Sequence, residues 1–412
     1  MITDPASMTP LLPSMDARGV RELVDKAENL IRRADRQEIP RGLRPVLADA
    51  LRPMNSYYTN KIEGQHTTPL LIEQALQQDF SAKPDEARKQ RAALACILAE
   101  EHIEARVGNA KHLGDIEDYF QAAFIQSTHR AMYQHLPPED RLVFGKEEDG
   151  SDWREDVLPG VFRTHEVKVG EHIPPSYRCM DRFFEALWNH YRFEQNGSRA
   201  LIAIFAAHHR LAWLHPFGDG NGRAVRLHTH AGLYALGLTR GIWSPMRGLA
   251  RQQGRYYQML ALADHPREGD LDGRGNLSEK HLIGFIDFML DVCLDQVEFM
   301  ERMLDLNGLE LRIHKMLQAE SVSPETPNLL KLNSLAALKY LLNAGPTPKQ
   351  EFRLFLGGDS ERTQERVIKD LRTLGIITSD GLQAPFRLSI PIKLFRYLFP
   401  GLWIEAEDRS PS

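Results

Sequence analysis

The segment HPFGDGNGRAVR, from His215 to Arg226, places a histidine, a carboxylate, three glycines, an asparagine and two arginines within twelve positions. The run before it, LIAIFAAHHRLAWL (Leu201–Leu214), has apolar residues at helical spacing, which predicts a buried helix ending beside His215. Asp219 to Gly222 predict a tight turn, because glycine and asparagine tolerate the positive φ that such turns need. After the turn, RAVRLHTHAGLYAL returns to a helical pattern. The segment is therefore expected to join two helices through a glycine-rich turn.

A glycine-rich turn that opens a helix forms an anion site. Its unpaired backbone N–H groups point the same way, and the positive end of the helix dipole adds to them. Arg223 and Arg226 share one helix face and can bring their charge to the same place. Asp219 would repel a bare phosphate, so we expect it to hold Mg²⁺ against one. His215 is the candidate general base, because an imidazole has the intrinsic pKa for proton abstraction near neutral pH.

The alternative interpretation is an ordinary helix–turn–helix connection with solvated charges. A single histidine or a single Gly-x-Gly would favour that alternative. The full set of residue types favours a site that handles a nucleotide phosphate.

The segment matches the motif HxFx(D/E)GNGRxxR at each fixed position, and in this respect the chain resembles the Fic family. The matching residues are His215, Phe217, Asp219, Gly220, Asn221, Gly222, Arg223 and Arg226. The resemblance implies a mainly α-helical fold, a helical bundle with a short β-hairpin flap. It also implies transfer of AMP from ATP to a Ser, Thr or Tyr hydroxyl of a target protein. His215 would deprotonate that hydroxyl, and Asp219 would hold Mg²⁺ on the α- and β-phosphates.

The resemblance assigns nucleotide contacts to the rest of the motif. The turn and Asn221 would cradle the phosphates, Arg223 and Arg226 would bind the β/γ end, and Phe217 would anchor the loop. The nucleotide-binding residues expected in this segment are Asp219, Gly220, Asn221, Gly222, Arg223, Ala224, Val225 and Arg226.

Two further segments extend the resemblance. PGVFRTHEVKVGEHIPP (Pro159–Pro175) alternates apolar and polar residues and predicts a short β-hairpin, the flap that would hold a target segment by strand addition. Downstream, Tyr256, Tyr257 and Asp264 resemble the nucleoside side of the family's site, although the two tyrosines also suit a half-buried helix face. From the flap, the expected nucleotide contacts are Val169, Gly170, Glu171 and His172.

The stretch Thr59-Asn60-Lys61-Ile62-Glu63-Gly64 matches (S/T)xxxE(G/N), the inhibitory motif of the same family. Glu63 would form a bidentate pair with Arg226 and place a negative charge where the γ-phosphate must go. ATP would then bind in a misaligned pose. Thr59 would cap or tie a short helix that ends at Gly64. The alternative is a surface helix with an ordinary C-terminal glycine.

Composition limits the other possibilities. With a net charge of −5 over 412 residues, the chain as a whole gives no case for binding nucleic acid or an anionic membrane. Three separated cysteines suit core thiols in a reducing compartment. No apolar run is long enough to span a membrane, and the first residues lack the features of a signal peptide. We therefore expect a cytoplasmic protein without membrane contact, with its first dozen or so residues loose.

His228 and His230 lie two apart on a helix, which makes a poor metal pair.

The predicted organisation has four parts. Residues 1–110 form an N-terminal helical region with the inhibitory motif (59–64), 111–320 the catalytic core, 321–329 a linker and 330–412 a C-terminal domain. In that domain a capped helix (Ser360–Leu374) and two short strands resemble a winged-helix (α+β) module. Between residues 333 and 403, ten Lys and Arg accompany six Asp and Glu. DNA contact and protein contact through this domain both stay open.

Three functions compete at this stage. The first is an AMP transferase autoinhibited by Glu63, with ATP and a target protein as its substrates. The second is a phosphodiesterase that uses the same site, with Glu63 positioning water, to remove AMP from a modified target. The third is a winged-helix DNA-binding regulator with an inactive Fic core, which the intact motif disfavours. The family resemblance is the basis for expecting a homodimer.

Overall fold

The computed structural model describes residues 1–146, 152–321, 334–356 and 360–402. The chain is mainly α-helical, as the sequence predicted. The α-helices are, in chain order, α1 (Val20–Arg36), α2 (Leu43–Ile62), α3 (Pro69–Leu76), α4 (Pro84–Val107), α5 (Ala122–Tyr133), α6 (Met180–Tyr191), α7 (Gly197–Leu214), α8 (Asn221–Ala235), α9 (Met246–Arg251), α10 (Gln253–Ala263), α11 (Glu279–Leu304), α12 (Leu306–Ser321), α13 (Leu335–Ala344), α14 (Lys349–Leu354), α15 (Glu361–Thr373) and α16 (Ile392–Leu398). Strand β1 (Leu142–Lys146) pairs with β2 (Asp152–Asp156), and β3 (Ile377–Thr378) pairs with β4 (Arg387–Leu388), both antiparallel. Among the described helices, none has the long apolar run that a membrane span requires.

The chain divides into two compact units whose boundaries differ from the predicted ones. The first unit comprises Met1–Arg36 and Asn55–Val297, and the second comprises Gln37–Met54 and Glu298–Ser412. A boundary near residue 110 was expected, but α4 packs against α5 and α8, so α4 belongs to the same unit as the motif. The predicted linker 321–329 lies outside the described residues except for Ser321, where α12 ends.

Helices α7 and α8 form the centre of the first unit. Most residues of α7 are buried, including the polar His208, His209 and Arg210, as expected for a helix surrounded by others. It packs against α1 and α8, and α8 packs in turn against α4 and α5. The turn that joins α7 to α8 therefore lies between two helices that are each packed against other helices of the unit.

The predicted hairpin over Pro159–Pro175 is wrong in extent. Val169 and His172 make one isolated antiparallel bridge around Gly170, whose φ is +59°, whereas the two-stranded hairpin of this unit is β1–β2. The prolines of the segment lack an N–H for a longer ladder. The carbonyls of His165 and Pro175 also accept hydrogen bonds from the Arg163 side chain instead of from a partner strand.

The N-terminal segment is ordered, contrary to expectation. Pro5–Met8 forms a 3₁₀ helix, and Met8 and Leu11 are buried. Arg210 donates to the Pro10 carbonyl at 2.6 Å. The Tyr191 hydroxyl donates to the carbonyl of Leu11 at 2.8 Å. These carbonyls satisfy donors that would otherwise be buried without partners, which is why the segment stays in place.

The second unit contains α12 to α16 and the pair β3–β4. Helix α15 precedes the two strands, as the sequence predicted, and α13 and α14 come before it. Thr347 and Phe386 add an isolated antiparallel bridge beside them. Ser360 caps α15, because its hydroxyl accepts from the N–H of Thr363 at 3.3 Å.

Candidate functional site

The turn between α7 and α8 depends on two left-handed residues. α7 ends at His215, whose φ is +46° and ψ is +59°, and α8 begins after Gly220, whose φ is +75°. A non-glycine residue rarely adopts this conformation, so surrounding contacts must hold His215 there. A Cβ at Gly220 would also lie 2.5 Å from the Tyr133 ring, so glycine is required for space as well.

Asn221 closes the turn on itself. Its side-chain oxygen accepts from the Phe217 N–H at 2.9 Å, and its side-chain nitrogen donates to the Phe217 carbonyl at 2.8 Å. The side chain thus clamps the loop, whereas we expected it to cradle phosphate. Phe217 is buried and stacks on His129 with ring centroids 3.9 Å apart, as an anchor of the loop should.

His129 braces the turn from behind. Its Nδ1 accepts from the N–H of Gly160 at 2.9 Å, so the proton resides on Nε2, which lies 3.2 Å from the Asp219 carbonyl and donates to it. Burial lowers the pKa of His129 to about 3, which keeps this tautomer neutral and in place at neutral pH.

Asp219 is held by Tyr133 and Arg223. The Tyr133 hydroxyl donates to Oδ2 of Asp219 at 2.5 Å, and a terminal nitrogen of Arg223 approaches the same oxygen at 3.2 Å. Desolvation favours the protonated acid, but Arg223 and the Tyr133 hydrogen bond outweigh it and lower the pKa of Asp219. Arg223 lines a small separate cavity with Cys96 and Met132. Its guanidinium is therefore directed at Asp219, whereas the sequence suggested that it binds phosphate.

A cleft of about 380 Å³ opens beside the turn. Its lining residues are Glu63, Val169, His172, His209, Ala212, Trp213, His215, Asn221, Gly222, Val225, Arg226, Tyr256, Tyr257, Leu260, Ala261 and Asp264. It thus brings together residues predicted from four separate segments of the sequence.

The other predicted site residues lie around this cleft. Gly170 and Glu171 form the tip of the flap turn, where Glu171 is fully exposed. Ala224 is fully buried in the core face of α8. Gly64 has a φ of +70° and ends α2, the C-terminal role expected for it.

His215 lines the cleft with a neutral imidazole. Burial and the nearby Arg163 guanidinium lower the pKa of His215 to about 4. The unprotonated form, which can accept a proton from a hydroxyl, is therefore the main form at neutral pH.

Glu63 lies in the cleft and binds Arg226. Oε1 of Glu63 accepts from a terminal nitrogen of Arg226 at 2.6 Å. The predicted bidentate pair is wrong, because only one terminal nitrogen of Arg226 bonds Glu63. Thr59 takes two further hydrogen bonds: Nε donates to its hydroxyl at 2.9 Å, and the same terminal nitrogen approaches its carbonyl at 3.1 Å. A Cβ on Gly222 would lie 2.3 Å from Oε1 of Glu63, so the carboxylate sits directly against the N-terminus of α8.

The opposite wall of the cleft carries the residues predicted for the nucleoside. Tyr256 is buried, with its hydroxyl 2.8 Å from Nε2 of His208. The Tyr257 hydroxyl donates to the carbonyl of Ile62, the last residue of α2, at 2.8 Å, and Gln253 donates to the same carbonyl at 2.8 Å.

Asp264 is oriented by a neighbouring histidine. Oδ1 of Asp264 lies 3.0 Å from Nε2 of His209. Arg210 donates to Nδ1 of His209 at 2.7 Å, so Nε2 carries the proton and donates to Asp264.

The remaining histidines of α8 have separate partners. Nε2 of His228 bonds the Tyr119 carbonyl at 2.8 Å, and Nε2 of His230 bonds Glu104 at 2.9 Å. His228 and His230 therefore bind two different groups, a backbone carbonyl and a carboxylate.

Comparison with known proteins identifies the region that holds this site. Residues 119–233 match the Fic/DOC family. The chain therefore contains a Fic/DOC-family domain. A protein adenylyltransferase Fic from Drosophila mojavensis is 35% identical over 113 residues, which cover 27% of this chain and 21% of that protein. Another from Drosophila willistoni is 24% identical over 330 residues, covering 78% of this chain and 53% of that protein. At most about half the length of these relatives is therefore matched.

A solved structure supports the same fold. The crystal structure of a Fic family protein from Desulfovibrio desulfuricans superposes with a TM-score of 0.51 at 15% identity, covering 92% of this chain and 98% of that chain. At this identity the likeness concerns the fold alone.

Sequence reasoning missed several residues of this Fic site. His129 and Tyr133 lie 90 and 86 positions before Asp219, and neither belongs to a recognisable pattern. Gln253 was also missed, although it lies three positions before Tyr256 on the same helix.

Proposed function

We propose that this Fic protein is an adenylyltransferase that moves AMP from ATP to a Ser, Thr or Tyr hydroxyl of a target protein, and that Glu63 inhibits it. The observation that carries the proposal is one cleft that holds a neutral His215, the N-terminus of α8 and the Glu63–Arg226 pair. The names of the curated relatives support the same reaction.

The chemistry follows from the positions of these groups. The unprotonated imidazole of His215 would take the proton of the hydroxyl as its oxygen bonds to the α-phosphorus. The bond between the α-phosphorus and the bridging oxygen would break, and pyrophosphate would leave. The N–H groups at the start of α8 would bind the phosphates. Catalysis would thus rest on positioning and on charge neutralisation.

Asp219 is the residue that would hold Mg²⁺. Its carboxylate is 42% exposed, and its lowered pKa keeps it ionised at neutral pH. One carboxylate is enough where substrate phosphates and water supply the other ligands. Mg²⁺ bound there would neutralise charge on the α- and β-phosphates. Tyr133 and Arg223 would keep the carboxylate in position.

Glu63 would inhibit by occupying the phosphate site. Its carboxylate lies against Gly222, where the helix N-terminus would bind an anion, and it takes a donor of Arg226. A γ-phosphate in the same place would meet a negative charge and an engaged arginine. The triphosphate would then be displaced from the alignment that transfer needs.

The flap would receive the target segment. The two residues of the Val169–His172 bridge line the cleft that contains His215. Strand addition there would hold a polypeptide through its backbone with little selection for its sequence.

The proposed transfer can be tested by product analysis. The Glu63→Gly form is incubated with ATP and Mg²⁺, and its intact mass is measured. The proposal expects a gain of one AMP unit on a Ser, Thr or Tyr side chain, located by peptide mapping. Cleavage of ATP without any covalent gain in mass would contradict it.

A phosphodiesterase activity is the second candidate, because the Glu63 carboxylate lies in the same cleft, where it could orient water. Self-modified Glu63→Gly protein is purified and mixed with the wild-type chain. Release of AMP by the wild type, and not by a His215→Ala control, would support this activity. Persistence of the modification would exclude it for this substrate.

The pH dependence of transfer should follow the lowered pKa of His215. With a pKa of about 4, the imidazole stays unprotonated between pH 7.5 and 5.5. An unperturbed histidine would lose about tenfold of its basic form over that range. We therefore expect kcat/KM of the Glu63→Gly form to change by less than about twofold from pH 7.5 to 5.5. A steady decline with a midpoint near 6.5 would contradict the neutral buried base.

The Tyr257 hydroxyl should act on inhibition, because it holds the end of α2 through the Ile62 carbonyl. A hydrogen bond of this kind contributes about 1 kcal/mol. Tyr257→Phe is therefore expected to raise self-modification about threefold to tenfold over the wild type at saturating ATP. Tyr177→Phe is the matched control, since that hydroxyl accepts from its neighbour Arg178 and does not line the cleft. A lower rate with a raised KM for ATP would instead indicate that Tyr257 contacts the nucleotide.

We also propose that the second unit contacts duplex DNA through α15. Arg362, Arg366 and Lys369 are exposed on this helix, whereas Glu365 is engaged by Arg353. Cations on one helix face suit contacts to phosphates. A gel shift of non-specific duplex that weakens steeply with salt, and that is lost on Arg362→Ala with Arg366→Ala, would support DNA as the partner. No shift at low salt would leave protein contact as the role of this surface.

A further inference from the structure

Arg163 connects the base of the site to both ends of the flap. Its side chain is fully buried, and one terminal nitrogen lies 3.6 Å from a carboxylate oxygen of Glu166. Each nitrogen of its guanidinium also donates to a different carbonyl. Nε donates to His215 at 2.9 Å, one terminal nitrogen to His165 at 2.7 Å and the other to Pro175 at 2.5 Å. Its backbone N–H donates to the Pro216 carbonyl at 2.9 Å. One residue thus joins both ends of the flap to the end of α7, which is about fifty positions away in the sequence.

Two of these contacts hold the end of α7. His215 has a φ of +46°, which a residue with a side chain adopts only under external constraint. Arg163 binds the carbonyl of His215 and that of the next residue, Pro216, so it holds the backbone on the C-terminal side of this strained position. The direction of the His215 imidazole depends on that backbone.

The other two contacts bracket the flap turn. His165 lies four residues before Val169, and Pro175 lies three residues after His172, the two residues of the bridge. A guanidinium is planar and presents its donors in a rigid fork. The spacing between the three carbonyls is therefore set by the geometry of a single group.

We propose that Arg163 is a positioning residue that sets the distance between a target hydroxyl held at the flap and the imidazole of His215. This inference rests on the proposed AMP transfer. Misplacement of reacting groups by about 1 Å can reduce a rate by about a hundredfold. The nucleotide would be bound by α8 and Arg226, which Arg163 does not contact among the described residues. Loss of Arg163 should therefore impair transfer to a polypeptide more than ATP binding.

The experiment compares Arg163→Lys with Arg178→Lys in the Glu63→Gly background. Lysine keeps the charge but cannot reproduce three donors in one plane. Arg178 is the matched control, because it lies just after the flap and its Nε donates to the hydroxyl of its neighbour Tyr177. The measured ratio is AMP attached to the protein over AMP released to water, since water needs no flap. We expect Arg163→Lys to lower this ratio at least about tenfold and the control to leave it unchanged.

Two readouts separate positioning from a general loss of structure. Binding of a fluorescent ATP analogue should change by less than about twofold, and amide exchange should speed up at 165–175 while α7 and α8 stay protected. Arg163→Ala offers a second variant, in which added guanidinium should restore at least part of the ratio. The inference would be overturned if both variants lost transfer, ATP binding and protection of α7 and α8 from amide exchange to the same extent. Arg163 would then be a structural residue.

The two levels of the proposal can fail separately. If the Glu63→Gly parent attaches no AMP to protein, the proposed function fails. Amide exchange then still decides whether Arg163 holds the flap, because it requires no ATP. Unchanged exchange at 165–175 in Arg163→Lys would overturn the inference whatever the reaction.

Discussion

His215→Ala should reduce AMP transfer by about 10²- to 10⁴-fold, the usual contribution of a general base. The half-buried imidazole, whose pKa is lowered to about 4, would act as the base, and alanine offers no group that accepts a proton. ATP binding should be largely retained, because the proposed phosphate contacts come from the N-terminus of α8 and from Arg226. The measurement is incorporation of labelled AMP in the Glu63→Gly background, with ATP affinity determined by calorimetry.

A matched control distinguishes the base from a general effect of losing an imidazole. His190→Ala removes an exposed histidine of α6 whose ring contacts the Ala186 carbonyl of its own helix. It should transfer AMP at the parent rate. Parent-like transfer by His215→Ala would rule out the general-base assignment, and loss of ATP binding in the same variant would point to a role for His215 in holding the nucleotide.

Glu63→Gly should raise self-modification at least about tenfold over the wild type. Removing the side chain clears the space against Gly222 and leaves one donor of Arg226 free for a phosphate. Thr59 would still accept two hydrogen bonds from that arginine, so the fold should survive the change. The measurement is the rate of labelled AMP incorporation with Mg²⁺ at saturating ATP.

Two variants separate charge from size at position 63. Glu63→Gln keeps the volume and an acceptor but loses the charge, so its rate should fall between those of the wild type and Glu63→Gly. Asp49→Gly, an exposed position on the same helix, should leave the rate unchanged. No increase in Glu63→Gly would contradict the inhibitory assignment, and an equal rate in Glu63→Gln and the wild type would show that bulk, not charge, excludes the phosphate.

Local sequence accounts for much of this site. The run of α7 is long and has apolar residues on both sides of His208-His209-Arg210, so a buried helix was predictable from it alone. Glycines at 64 and 220 have positive φ, as their places at a helix end and a tight turn suggested. These features depend on residues within a few positions of one another, and a single sequence contains that information.

Contacts between distant segments were beyond such reasoning. The Tyr133 hydroxyl donates to the Asp219 carboxylate. Thr59 accepts a hydrogen bond from Nε of Arg226, a donor that was expected to bind Glu63. The flap failed to form a hairpin because the buried guanidinium of Arg163 binds two of its carbonyls. Each outcome depends on which side chain or carbonyl the folded chain places within hydrogen-bond distance of the donor or acceptor.

The sequence by itself determined the buried helix before His215 and the glycine-rich turn after it, and its family resemblance predicted the helical class and the pairing of Glu63 with Arg226. The tertiary structure decided how those groups are held: the tautomer of His129, the direction of Arg223 and the link from Arg163 to the flap. The physical reason is that hydrogen bonds of buried polar groups must be satisfied, and their partners come from whichever segments the packing brings near.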